Sequence, residues 1–385
     1  MLYTPFSCSQ ILFRPFRDWT FQLLLLFPLL LLTCSPKLAP PSTGDVVGHL
    51  IEQYRTENKI PGLSVAVLQG GELVYAKGFG YADVAKKRPA NENSVYLTAS
   101  ISKAVGGTLA AKLEAEGKLK DGTPVSLDMD QPTTAYLDIP RDKHAHTVAQ
   151  LSAHLSCIRH YNGSSVPKGH FAMATEAVEV LKNDSLIVDC TIGGDRNYST
   201  HAFTYFGAVL EKVTGRPIAQ LVEEELSEAY GFSSIRAMYR YPTLRPNVNR
   251  VTPYNLEGKK TAYEQNSWKV LGGGIEASAI DLVRFAYAIE QGEIISPEVR
   301  DNRLWKQLDL DSPNGIAWEL GAANGRPTVE HAGSAHGSRC LLRVYRGENP
   351  SLVICVLTNS QINGHDPAKL VDQIAEEFLP EVEIP

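Results

Sequence analysis

The chain has 385 residues, 37 Lys and Arg against 43 Asp and Glu, and is 43% hydrophobic and 21% charged. These fractions are those of a globular protein; they exclude disorder and collagen-like repetition, and the length excludes a small disulfide scaffold while allowing two lobes or one large α/β unit. Without the first 40 residues the balance is 34 basic to 42 acidic, and no Lys/Arg cluster supplies the basic face that nucleic acid requires, so no nucleic-acid partner is expected.

Residues 1–44 stand apart in composition. Arg14 and Arg17 lead into an apolar run from Leu23 to Leu32, followed by Thr33, Cys34 and Ser35. A run of about 10 apolar residues suits an export signal and falls short of the roughly 20 that span a bilayer. Export out of the cytoplasm is therefore the expectation. A retained tether over residues 19–33, lipidation at Cys34 and mitochondrial import remain open. Residues 36–44, with Pro40-Pro41-Ser42-Thr43, read as a linker.

The element pattern begins at Asp45. Val46, Val47, Leu50, Ile51 and Tyr54 recur at helical spacing. Leu63, Val65 and Val67, a Gly70-Gly71 turn and Leu73 to Tyr75 then predict a hairpin. Further helices are predicted near 101–116, 203–214, 218–229, 279–291 and 367–379, the last with Asp366 as N-cap and Pro367 at the first helical position. A second hairpin over 338–345 and 351–357 closes the pattern. The expected class is α/β of the mixed α+β kind, with one antiparallel sheet drawn from both ends of the chain and flanked by helices. A sheet lobe is expected over about 45–115 and 270–385, with a helix-rich lobe over about 116–269 inserted in it.

Three segments carry chemistry. Ser100 and Lys103 lie three apart at the start of a helical run, on one face, where an amine can activate a hydroxyl beside the helix N-terminus. The alternative is that Ser100 merely caps the helix, but Lys103 at the positive end of the dipole costs about 0.3–1 kcal/mol, and a capping box would have Glu or Gln there. Ser165 and Lys168 share the spacing but have Pro167 between them and no helical periodicity after them. Tyr198, just ahead of the apolar stripe Phe203, Phe206, Val209, Leu210 and Val213, is a candidate proton relay whose phenol a cationic Lys103 would acidify. A half-buried packing tyrosine is the competing reading. His331 and Gly333 share one face of a short extended segment, read as a substrate-binding edge strand where Gly333 admits a ligand backbone.

Together, Ser100-Ile101-Ser102-Lys103, Tyr198-Ser199-Thr200 and His331-Ala332-Gly333 resemble the three active-site motifs of the serine β-lactamase and penicillin-binding-protein superfamily, class C branch. Ile60 to Val67, Gly78 to Asp83, Leu151 to Tyr161 and Gly272-Gly273-Gly274 extend the likeness over residues 45–360. Ile158-Arg159-His160-Tyr161 and the Tyr-x-Thr motif are most similar to the serine β-lactamase-like group that includes the mitochondrial protein of animals and exported bacterial hydrolases.

The resemblance implies a β-lactamase/transpeptidase-like fold and a hydrolase of small peptide, amide or ester substrates that uses no cofactor. It implies that Ser100 attacks a carbonyl, that Lys103 and Tyr198 handle its proton, and that His331 stands where the family has Lys or His. Thr200 and Gly333 would contact substrate, and the backbone N–H groups of Ser100 and Ser334 would form the oxyanion hole. Thr200 replaces the commoner Asn, so strong β-lactam turnover is not expected. Ala332 replaces a frequent Thr, and Cys157 stands where the family usually has Gly. A catalytically idle binding or scaffold protein is the rival reading.

Of the six cysteines, Cys8 and Cys34 belong to the leader. Cys157 and Cys190 are candidates for a disulfide bracing the loop that carries Tyr198, two buried thiols being the alternative; Cys340 and Cys355, offset on the last hairpin, are expected to pack unbonded. No metal site is expected, since His144-Ala145-His146 lacks a partner cluster. Sequons occur at Asn162, Asn183 and Asn197.

Overall fold

The computed structural model describes residues 43–161, 166–183, 190–240, 243–310 and 312–379. The leader, the Asn162 sequon and Ser165 lie outside the described residues. No helix among the described residues is long and apolar enough to cross a membrane.

Twelve strands are present among the described residues: β1 (Gly62–Gln69), β2 (Glu72–Asp83), β3 (Arg88–Pro89), β4 (Tyr96–Leu97), β5 (Arg236–Ala237), β6 (Tyr239–Arg240), β7 (Thr243–Leu244), β8 (Ile275–Ala277), β9 (Glu319–Ala323), β10 (Arg326–Ala335), β11 (Ser338–Tyr345) and β12 (Leu352–Thr358). The main sheet runs β3-β2-β1-β12-β11-β10-β9, so strands from the two ends of the described chain meet at the β1–β12 pair. Its neighbours pair antiparallel throughout.

Successive side chains of the central strands point to opposite faces, and both faces are covered. Leu63, Val65 and Val67 of β1 join Leu352, Ile354 and Val356 of β12 beneath the helices Thr43–Glu57 and Pro367–Glu376. Ala66, Leu68, Val353, Cys355 and Leu357 face the other way, into the larger core with the helices Ile101–Glu116 and Ala279–Glu290. The small residues between the large ones of β1 are thus a second packed face, which explains the soft alternation of its sequence.

The helix over Ile101–Glu116 has the predicted bounds, buried on every side from Ile101 to Leu113 and stopped by Gly117 in the left-handed region. Asp366 caps Pro367–Glu376 by accepting from Ala368 N–H. The run expected near 218–229 is not one regular helix: Ile218–Val222 passes into a π turn over Glu223–Ser227 and ends at Glu228–Tyr230. The buried Glu225 occupies that turn, accepting from Lys120 N–H and pairing with Lys112. The short strands β4 to β8, and β9, carry too few residues for periodicity to show.

Cys340 and Cys355 are two registers apart, Cys340 opposite Leu357 and Cys355 opposite Leu342, and both are buried free thiols. Cys157 and Cys190 are joined as a disulfide. His144 and His146 hydrogen-bond to each other at 3.2 Å and onward to Lys182 O and Thr133 Oγ1.

Candidate active site

Ser100 sits at the head of its helix in helical backbone geometry, and its side chain makes no capping hydrogen bond. The hydroxyl is turned instead toward Lys103 Nζ, 2.9 Å away, and accepts from Tyr198 OH at 2.7 Å. The capping alternative therefore fails, and the pair is held by the one-face geometry of a first turn. Ala99, immediately before Ser100, takes φ +47°, a left-handed conformation costing an L-residue about 1–2 kcal/mol. That kink turns the chain from β4 into the helix at the point where the hydroxyl must face outward.

Lys103 is fully buried and also donates to Gly272 O at 2.6 Å. A side chain on Gly272 would stand 2.7 Å from Thr200 Cγ2, so glycine lets this segment pack closely against the start of the Thr200–Thr214 helix. Burial drives the Lys103 amine well below its ordinary value, Lys269 adds to the effect, and Glu319 opposes it. Tyr198 moves the other way: burial raises its phenol above the usual range, against the hydrogen bond with Ser100. The expected acidification of Tyr198 by a cationic Lys103 is thus overturned, because the desolvation that raises the phenol is the largest influence on it and also disfavours the charged form of the lysine.

Tyr198 and Thr200 are placed by two histidines. Ser199 caps the helix Thr200–Thr214 by accepting from Ala202 N–H. Its own N–H donates to His154 Nδ1 at 3.1 Å, and Thr200 N–H donates to His160 Nδ1 at 3.2 Å. Each imidazole must therefore be neutral and protonated at Nε2; burial lowers both, His160 to about 4. His154 also packs on Tyr198, ring centroids 4.2 Å apart. His154 and Cys157 take φ +63° and +57° in this loop, so Cys157 occupies a conformation suited to glycine and its disulfide partner Cys190 begins the segment leading to Tyr198.

The third segment lies on β10. This strand is not a plain edge: β9 covers it from Arg326 to Glu330 and stops, leaving His331 to Ala335 open on that side. The two-residue turn at His336-Gly337 makes Ala335 and Ser338 the closing pair of the β10–β11 ladder, so by alternation Ser334 directs its N–H away from β11. A Cβ at Gly333 would collide with Cys340 Sγ and the Thr98 carbonyl oxygen. His331 Nδ1 donates to Ala332 O at 2.6 Å, leaving Nε2 as an acceptor, and burial first, Lys103 second, lower the ring to about 3.

Ser100, Tyr198, Thr200, His331, Gly333 and Ser334 line one cleft of about 350 Å³, with Lys103 beneath it. Four more lining residues, His160, Tyr161, Glu319 and Arg339, had no role in the sequence reading. His160 and Tyr161 fall in a stretch that marked the resemblance; for Glu319 no local signal exists, since its ion pair is with a residue far away in sequence. Arg196 NH2 meets Glu319 at 2.9 Å and its Nε donates to Asn314 Oδ1 at 2.6 Å. Burial raises the Glu319 carboxyl, while Arg196 pulls it back.

The Beta-lactamase of Escherichia coli strain K12 is 22% identical over 308 residues, which cover 75% of this chain and 73% of that protein. The mitochondrial serine beta-lactamase-like protein LACTB of Bos taurus is 25% identical over 340 residues, 66% of this chain, and the match spans only 59% of that relative's length. Among solved structures, the D-amino acid amidase of Ochrobactrum anthropi SV3 superposes with a TM-score of 0.73 at 18% identity, over 87% of this chain and 98% of the amidase. The octameric penicillin-binding protein homologue of Pyrococcus abyssi gives 0.72 at 20% identity, over 86% and 76%. These two likenesses establish the fold, β-lactamase/transpeptidase-like and of the α/β class. The family model for Beta-lactamase matches residues 47–377, most of the chain, and the protein belongs to that family.

Proposed function

We propose that the protein is a serine hydrolase that cleaves amide or ester bonds of small peptide-like substrates through an acyl-enzyme on Ser100. The observation that carries this reading is the placement of one hydroxyl between a buried amine and a buried phenol, 2.9 Å from Lys103 Nζ and 2.7 Å from Tyr198 OH. A neutral amine has a lone pair for the Ser100 proton as Oγ attacks a carbonyl carbon, and the ammonium so formed is held by Gly272 O. Tyr198 enters the step protonated, gives its phenol proton to the departing amine or alcohol, and stands as phenolate beside the Lys103 ammonium until the attacking water returns a proton to it. The Ser100 and Ser334 N–H groups face the developing oxyanion. Water then takes the acyl group by the reverse sequence.

His331 stays neutral and offers an acceptor rather than a charge, and Thr200 brings a short hydroxyl where a longer amide would reach substrate. Both features support amides and esters over efficient β-lactam turnover, in keeping with the amidase names of some structural relatives. Action outside the cytoplasm remains the proposal made on the leader.

Labelling of the folded protein with a fluorophosphonate and a fluorescent penicillin, with adducts mapped by mass spectrometry, tests the reading. Adduct on Ser100 from the fluorophosphonate, absent in Ser100→Ala, is the expected result. No adduct from folded protein would make the site non-catalytic.

A further inference from the structure

The main sheet has an open border on β2. β3 covers that strand only at Tyr81 and Asp83, and Ala90 N–H adds a bond to Gly80 O. Among the described residues, no backbone hydrogen bond reaches the outer side of Glu72 to Lys77. The two-residue turn at Gly70-Gly71 makes Gln69 and Glu72 the closing pair of the β1–β2 hairpin, so Glu72 turns its backbone toward β1 and Leu73 turns outward. Gly80 O faces outward as well, and alternation back along the strand turns Gly78 and Ala76 the same way. Between Leu73 and Ala76 lies a bulge, where Val74 is the extra residue. Glu72 lies opposite Gln69, whose Nε2 donates to Phe378 O, and Lys77 lies opposite Val65, so both point to the face covered by the helices Thr43–Glu57 and Pro367–Glu376. Leu73 and Ala76, opposite Leu68 and Ala66, point to the other face. Glu72 and Lys77 are exposed, as are Leu73 at 37% and Val74 at 41%.

We infer that the Glu72 to Lys77 edge of β2 pairs antiparallel with the same edge of a second copy of this chain, about a two-fold axis between Val74 and Tyr75. Outward backbone groups can face each other in three registers: Leu73 on Leu73, Ala76 on Ala76, or Leu73 on Ala76. Only the last sets opposite charges together, placing Glu72 of each copy against Lys77 of the other, twice by symmetry. The same register sets Leu73 against Ala76 of the second copy on the opposite face, so every pair meets on the face it already occupies. The bulges fall at the same level in both strands and leave the register intact. A lysine on an open edge with a bulge beside it ordinarily discourages pairing. Here the strand carries the matching acid itself, so a strand without that acid is refused and a second copy is accepted. Main-chain hydrogen bonds supply the attraction, and the pairing joins two seven-stranded sheets into one.

The test is sedimentation equilibrium of the full chain as wild type, Glu72→Lys, Lys77→Glu, the double variant that exchanges the two charges, and an equimolar mixture of the two single variants, with thermal melts to show that each is folded. The expected result is a wild-type dimer whose dissociation constant rises about tenfold in each single variant, where like charges meet twice. The double variant and the mixture should both return to the wild-type value. In the mixture a copy with two lysines meets a copy with two glutamates, and only this register makes both contacts favourable. A wild type that is monomeric at about 100 μM overturns the pairing. A dimer with the same dissociation constant in every sample is held by another surface, residues 1–44 included, and overturns it as well. Single variants that weaken the dimer without recovery in the mixture overturn the register and the inference with it.

Discussion

Arg196 and Glu319 form an ion pair of 2.9 Å that ties the loop carrying Tyr198 to the start of β9. The two side chains keep about a third of their surface in solvent, and such pairs contribute only about 0–1 kcal/mol to stability. Their value lies in placement, because Arg196 is two residues from the phenol and its fork also holds Asn314.

Arg196→Ala is accordingly expected to lower kcat/KM about tenfold, roughly 1.4 kcal/mol of transition-state stabilisation, with little change in melting temperature. Arg196→Lys should restore little, since one ammonium cannot reproduce a fork reaching two acceptors. Steady-state kinetics beside thermal melts separate this from a folding defect; equal loss in both would show a structural role instead.

The direction of the Lys103 shift fixes the shape of the pH profile. The base form is the neutral amine, so activity is absent where it is protonated and rises with pH through its pKa. That pKa lies well below 10.5, and the phenol of Tyr198 titrates above its ordinary range, so the profile should reach its plateau far below pH 10.5 and hold it to pH 10. Measurement with an uncharged ester from pH 5 to 10 decides; a midpoint near 10.5 would mean that Lys103 remains an ordinary ammonium. Lys103→Met should abolish turnover by a factor of about 10³ or more while preserving the fold, since it replaces a desolvated amine with an apolar side chain of similar length.

Gly333→Ala is expected to cost about 1–3 kcal/mol or more and to displace β10 from Ser100. The added methyl would meet both Cys340 Sγ and the Thr98 backbone oxygen. Because the second obstacle is main chain, pairing the change with Cys340→Ala should not rescue stability or Ser100 labelling. Full rescue would show that the sulfur alone sets the fit.

Reduction of the Cys157–Cys190 disulfide, which closes a loop across a separation of 33 residues, is expected to cost about 3–4 kcal/mol and to depress activity through the segment leading to Tyr198. Among single variants, Cys157→Gly should lie about 1 kcal/mol above Cys157→Ala, because position 157 has φ +57°. Urea denaturation with and without reductant measures both effects, and identical curves for the two variants would contradict the backbone argument.

Acid should destabilise the fold early. Burial lowers His146 and His331 to about 3, and His160 and His365 to about 4, from an ordinary 6.5. Between those limits the unfolded chain binds protons that the native chain refuses, so their stability contribution is complete above pH 6.5 and is lost as pH falls, to about 4 for His160 and His365 and to about 3 for His146 and His331. Urea midpoints at pH 7, 6, 5 and 4 should therefore fall in sequence; constant midpoints would rule the account out.

The helix Ile101–Glu116, the Asp366 cap and both hairpins were legible because capping, turn chemistry and side-chain periodicity act over a few residues. The pairing of Ser100 with Lys103 was legible for the same reason, as three residues along a helix is a fixed geometry. The break in the 218–229 run was not, since the buried Glu225 bonds to Lys112 and Lys120 from another part of the chain.

By itself the sequence determined the α/β class and singled out the three segments proposed to carry the chemistry, which rest on local spacing or on motifs kept in order, while for Cys157 and Cys190 it left a disulfide and two buried thiols open until the structure joined them. Only the tertiary structure decided the state of those groups. It assigned Gly272 O to Lys103, gave His154 and His160 to the backbone of Ser199 and Thr200, left half of β10 open, and reversed the expected acidity of Tyr198. Each of these depends on which atoms are withdrawn from water and what faces them from distant segments. Desolvation and long-range contact are properties of the packed chain, and no window of sequence contains them.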